Sequence, residues 1–120
     1  MVIVDTSMWV VHLKKDHPHL KELLSKTQVM CHDFIIGELA CGNLKNRREI
    51  LDLLEALPRA PLLSQKEVLY FVEHHSLMGR GVDFVDAHLL ASSQLSDVPL
   101  WTLDNSLQRV ASKLARSYRS

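Results

Sequence analysis

Val2-Ile3-Val4-Asp5-Thr6-Ser7 and Leu100-Trp101-Thr102-Leu103-Asp104-Asn105 share one design: an apolar, strand-like run stops at an aspartate and passes directly into polar residues suited to opening a helix. In an open parallel sheet the carboxyl ends of the strands lie along one edge, and ligands bind there. The repeated pattern therefore predicts that Asp5 and Asp104 are neighbours despite the length of chain between them. Taken singly, each aspartate also fits as a plain helix cap.

The sequence between these segments alternates in the same way. Trp9, Val10 and Leu13 follow the first strand at helical spacing, and Pro18 opens a second helix bearing Leu20, Leu23 and Leu24. Val29-Met30-Cys31 reads as a strand, after which Asp33 is placed to cap a helix with Phe34, Ile35, Glu38, Leu39 and Cys41, closed by Gly42-Asn43. Ile50, Leu51, Leu53, Leu54 and Leu57 form the stripe of a longer helix ended by Pro58, with a short extended piece over 60–63. Ser64 and Glu67 have capping-box spacing, the glycines of 78–81 mark a loop, and helical periodicity returns over 82–95. A last helix carries Leu107, Val110, Ala111 and Leu114. Strand and helix in alternation predict the α/β class, with a central, mostly parallel sheet flanked by helices, in a single domain over 1–120.

Composition narrows the function classes. With 120 residues, 47% hydrophobic, and 14 basic against 14 acidic side chains, the chain is not disordered and needs no disulfide framework. Cys31 and Cys41 accordingly read as core thiols, and the absence of a CxxC pair or signal-peptide pattern favours a cytoplasmic setting. Apolar runs of a few residues exclude a membrane span, which takes about 20. Zero net charge does not supply the positive field of a duplex-binding protein. Locally, Arg109, Lys113 and Arg116 recur at a spacing that stacks them on one helix face, either complementing the helix dipole or meeting phosphate; Lys14, Lys15, Lys45, Arg47, Arg48, Arg59 and Arg80 read as scattered.

Two more acids stand out. Glu38 has Phe34, Ile35, Cys41 and Gly42 as helical neighbours, and Asp86 has Val82, Leu89 and Leu90, so both carboxylates are expected on core-directed faces without a local cation. An unpaired carboxylate in such a position binds a metal, finds a distant partner or takes up a proton. Asp83 reads as a cap. Four acids at one sheet edge repel each other unless cations intervene, and hard oxygen donors select magnesium or manganese over zinc. Such ions serve phosphodiester cleavage. Thr6 and Ser7 are candidates to hold a water or a phosphate oxygen, or simply to cap. The seven histidines form no zinc motif, His88 lies off the Asp86 face, and no GxGxxG, GxxxxGK[ST] or GxSxG sequence occurs.

In order and spacing, Val4-Asp5-Thr6-Ser7, Ile36-Gly37-Glu38-Leu39-Ala40, Val85-Asp86-Ala87-His88-Leu89-Leu90-Ala91 and Trp101-Thr102-Leu103-Asp104 resemble the PIN-domain ribonucleases, in particular the VapC toxins of bacterial toxin-antitoxin pairs, over almost the whole chain. The resemblance implies a PIN-like fold and a magnesium-dependent endoribonuclease, manganese being an alternative, that cuts structured RNA such as transfer or ribosomal RNA. It implies an acidic cluster of Asp5, Glu38, Asp86 and Asp104, with Asp5 and Asp86 as metal ligands and the other two shaping the site. It further implies a homodimer silenced by a cognate antitoxin. Ser106 stands where some relatives carry a further acid, which bears on a two-metal mechanism.

Other classes fit less well. A phospho-acceptor receiver would want paired acids after the first strand and a lysine after the last, where Thr6-Ser7 and Asp104 stand, and a dehalogenase-like phosphatase would want an Asp at Ser7. A PIN-like module that only binds RNA or protein remains open. It has no evident use for costly carboxylates on apolar faces.

Overall fold

The computed structural model describes residues 1–119. Three strands, β1 (Val2–Val4), β2 (Val29–Met30) and β3 (Leu100–Trp101), pair in the order β2-β1-β3, all parallel. The register sets Val2 against Val29 and Ile3 against both Met30 and Leu100, with Val4 against Trp101. As the middle strand, β1 is covered on both faces, and a β-branched run with no polar residue is what such a strand requires. Each of its three side chains contributes roughly 1.5–3 kcal/mol by leaving water. The sheet margins continue as single bridges, Cys31 to Arg59 and Leu100 to Ser117. The piece expected to be extended over 60–63 is thus reduced to one bridge at Arg59, where the backbone of Cys31 meets Pro58 and Ala60.

Seven helices among the described residues flank the sheet: α1 (Thr6–Lys14), α2 (Pro18–Ser25), α3 (Asp33–Ala40), α4 (Arg47–Ala56), α5 (Gln65–His74), α6 (Phe84–Ser96) and α7 (Asn105–Lys113). Pro18 occupies the first turn of α2, and Ser64 with Glu67 forms the reciprocal capping box of α5. α6 lies deep, with every residue from Ala87 to Ser93 buried. The core gathers β1 with Met8, Trp9, Leu20, Ile35, Leu54, Leu89, Leu90 and Leu107. No helix among the described residues is long and apolar enough to cross a membrane.

Four local expectations are corrected. Asp33 is not the cap of α3: the His32 ring Nδ1 accepts the Phe34 N–H at 3.0 Å, while Asp33 pairs with Arg59. Glu38 is exposed rather than core-facing, because α3 is short and buries only Ile35 and Leu39. Cys41, just past the helix, is exposed as well, leaving Cys31 as the core thiol. Arg116 does not extend the basic face of α7: the helix stops at Lys113, Ala115 turns left-handed, and the Arg116 guanidinium reaches Ser93 O at 3.2 Å and Asp97 at 3.0 Å.

Candidate active site

The parallel register brings the carboxyl ends of β1 and β3 side by side, and the two aspartates that end these runs meet there. Asp5 directly follows β1 and is only 7% exposed. It occupies the N-cap position of α1, yet its side chain makes no cap bond. Its Oδ2 instead accepts the Thr102 hydroxyl at 2.7 Å and the Ser7 hydroxyl at 2.9 Å. These donors are themselves fixed: Thr102 Oγ1 accepts the Asp104 N–H at 3.1 Å, and Ser7 Oγ accepts the Leu103 N–H at 3.0 Å. Two hydroxyl donors satisfy this oxygen of the buried carboxylate without a cation. The cap reading of Asp5 is therefore excluded, and the two strand ends are tied through its carboxylate.

Asp104 does cap. Its Oδ1 accepts the Leu107 N–H at 2.9 Å and starts α7, while the residue itself is exposed at the site rim. Asp86 enters from α6, where it forms a reciprocal capping box with Asp83: Asp86 N–H donates to Asp83 Oδ1 at 2.8 Å, and Asp83 N–H donates to Asp86 Oδ2 at 3.1 Å. Burial pushes the Asp86 carboxyl from its ordinary 3.8 up to about 6. The Asp83 N–H opposes that rise, whereas the charges of Asp83, Asp5 and Asp104 reinforce it, so all three lie within its field. Glu38 stands further out at the exposed edge, attached through the Thr6 hydroxyl, which donates to Glu38 Oε1 at 2.6 Å. Thr6 directly follows Asp5, so this bond links α3 to the same strand end.

One regularity runs through the four acids. Each has one carboxylate oxygen engaged by the fold (Asp5 Oδ2, Glu38 Oε1, Asp86 Oδ2, Asp104 Oδ1), and the other oxygen has no hydrogen-bond partner among the described residues. None of the four forms an ion pair there either. Fixed carboxylates with unused, uncompensated oxygens are a donor set suited to a hard divalent cation. Among the described residues no group of three or more His, Cys, Asp or Glu side chains is placed to hold a metal ion as it stands. An ion of the magnesium kind does not need that, since it is bound through one or two carboxylates and keeps several waters.

Thr102 is the residue that sequence reading passed over. Its hydroxyl links Asp5 to the Asp104 backbone, and only the pairing of β1 with β3 makes that visible. His88 is buried away from the acids, its ring against Phe34 and Phe84 with centroids at 4.6 and 4.8 Å.

Comparison with known proteins adds independent findings. The family model described as "PIN domain" matches residues 2–113. The chain is 43% identical over 109 residues to Ribonuclease VapC32 of Mycobacterium tuberculosis, in both the CDC 1551 / Oshkosh and H37Rv strains, covering 90% of this chain and 88% of the relative. The crystal structure of PAE2754 from Pyrobaculum aerophilum superposes with a TM-score of 0.67 at 16% identity, covering 95% of this chain and 94% of that one, a likeness of fold.

Proposed function

The chain belongs to the PIN-domain family, within its VapC type, and on that premise we propose that it is a divalent-metal-dependent endoribonuclease, the toxin of a toxin-antitoxin pair. The observation that carries the reading is the set of four carboxylates, each with one oxygen held and one free, at the carboxyl edge of the sheet. VapC32, to which the chain is 43% identical over 109 residues, is named a ribonuclease.

In this reading Asp5 and Asp86 are the residues that would hold the metal. Bound there, magnesium or manganese would supply Lewis-acid chemistry, acidifying a water and offsetting charge on the phosphate. The chain's own residues do the positioning. Ser7 and Thr102 keep the Asp5 carboxylate in one orientation, so it loses little freedom when a ligand arrives. The capping box fixes Asp86 on the first turn of a buried helix. The free oxygens of Glu38 and Asp104 orient the water and accept its proton as its oxygen bonds to phosphorus, while the bond to the leaving oxygen breaks and that oxygen takes a proton from solvent. Structured RNA, transfer or ribosomal, is the proposed substrate. A cognate antitoxin and a second copy of this chain are the proposed partners, in the cytoplasm.

The test is induction of the unmutated protein and of Asp5→Asn in bacteria, with folding of both checked by circular dichroism. Growth arrest with discrete cleaved RNAs from the unmutated protein only is expected. A folded Asp5→Asn variant that still arrests growth and cuts RNA would overturn the assignment, and intact RNA in both cultures would favour a binding-only module.

A further inference from the structure

Next to the acids, between the glycine loop and the last helix, lies a groove of about 680 Å³ lined by Gly79, Arg80, Gly81, Ser106, Arg109 and Lys113. We propose that this groove is the track for the RNA backbone on one side of the acidic centre, with Arg80, Arg109 and Lys113 holding phosphates adjacent to the one that reacts. The proposal rests on the ribonuclease reading above and assigns the place where the substrate strand runs.

The charge pattern is the first reason. Three cations line the groove, no acid does, and none of the three forms an ion pair among the described residues. Each is exposed, with its charge available. Arg80 donates through Nε to Ser76 O at 2.9 Å, which anchors the side chain and leaves its terminal nitrogens free. Arg109 leans along the helix, Nη2 to Ser106 Oγ at 3.4 Å, and Lys113 follows one turn later, about 6 Å along the axis, a separation that neighbouring backbone phosphates can span. An acidic centre repels a polyanion, and cations beside it offset that repulsion along the substrate strand.

Continuity with the site is the second reason. Ser106 lies in the first turn of α7, the helix that Asp104 caps, and Gly81 precedes by two residues the Asp83 that pairs with Asp86. The loop and the helix touch there: a Cβ on Gly81 would come within 2.8 Å of Ser106 Oγ, and the left-handed φ of +80° at Gly81 admits no ordinary side chain without strain. Gly79, at φ +73°, makes the other turn, so two glycines bracket Arg80 and bring it over the same groove as α7. Sequence spacing alone scatters Arg80; the loop places it with Arg109 and Lys113. A row of cations leading away from the acids suits evenly spaced phosphates better than the irregular charges of an acidic protein segment.

The test uses the whole protein in chelator, so that nothing is cleaved, with a fluorescein-labelled single-stranded RNA 20-mer read by anisotropy across a salt series. Removing two phosphate contacts in the Arg109→Ala/Lys113→Ala variant should lower the slope of log affinity against log salt by about 1.4 and weaken binding about 25-fold at 0.1 M salt. Lys113→Gln alone should give about half that change in slope, and keeps the test open should the double variant fail to fold. Lys15→Ala/Arg48→Ala, which loses the same charge at residues outside the groove lining, should match the unmutated protein. An unchanged slope in the groove variants, or an equal loss in the distant one, would overturn the proposal. So would groove variants that keep RNA but lose a poly-glutamate peptide, which would assign the groove to a protein partner. Cleavage of cellular RNA with magnesium or manganese is read in parallel. If the unmutated protein cuts and the groove variants bind and cut equally well, the track alone fails; if it cuts nothing, the nuclease reading fails.

Discussion

Replacing Asp86 by Asn should make the metal-free protein more stable at neutral pH, even though it removes a proposed metal ligand. The Asp86 carboxyl titrates near 6 in the folded chain against 3.8 when free, chiefly because it is buried. Between those values the folded chain holds a proton that the unfolded chain has released, so stability from this group is complete below about pH 4 and is lost as pH rises through about 6. The full gap corresponds to roughly 3 kcal/mol. Asp86 is half-buried, so solvent screens part of that, and a negative charge on the first turn of α6 regains about 0.3–1 kcal/mol from the helix dipole. A net penalty of about 1–2 kcal/mol at pH 7 remains. Asn removes the charge and keeps an oxygen for the Asp83 N–H, so the capping box survives. The assay is urea unfolding of both proteins in chelator at about pH 4 and pH 7, taken as a difference so that other titrating groups cancel. Asp86→Asn should be the more stable at pH 7 by about 1–2 kcal/mol, with the advantage gone near pH 4. Excess magnesium should reverse the order, since only the unmutated protein keeps both proposed ligands. A variant that is less stable at pH 7 in chelator, or a difference that does not move with pH, would refute the reasoning.

Three further outcomes follow from particular contacts. Thr102→Val preserves shape but takes a hydroxyl from the Asp5 carboxylate and an acceptor from the Asp104 N–H; a loss of about 2–3 kcal/mol in urea unfolding, together with reduced RNA cleavage, is expected. Gly81→Ala should cost about 1–3 kcal/mol, more than Gly79→Ala, because both glycines are left-handed but only at Gly81 does the new Cβ strike Ser106; thermal melts of the two variants make the comparison. The His32 imidazole, pushed by burial from 6.5 down to about 4, contributes stability that is present above pH 6.5 and lost as pH falls through about 4. His32→Asn, which retains a capping acceptor for α3, should unfold more readily at neutral pH yet lose less on acidification, as measured by urea midpoints across that window.

What is legible in the sequence tracks how local its cause is. Val2-Ile3-Val4 declares a central strand because every residue must suit burial on both sides, and the Ser64 and Glu67 capping box depends on residues three apart. The meeting of Asp5 with Asp104 was legible because strand-end aspartates in a parallel sheet have one edge to share. Glu38 misled because a periodicity rule assumes a helix long enough to have a buried face, and α3 ends at Ala40 after burying two residues. Arg116 misled for the converse reason: the four-then-three spacing continues past Lys113, but the chain turns left-handed at Ala115 and leaves the helix. Thr102, and the contact of Gly81 with Ser106, were illegible because they exist only once β1 and β3 pair and the loop closes on α7.

The most direct test of the account is cleavage of total cellular RNA by the purified protein in magnesium, in manganese and in chelator, beside a folded Asp5→Asn variant. Discrete fragments that require a divalent ion and the Asp5 carboxylate are the predicted result. Equal cleavage in chelator, or by Asp5→Asn, would contradict a metal-dependent centre built on the acids at the strand ends.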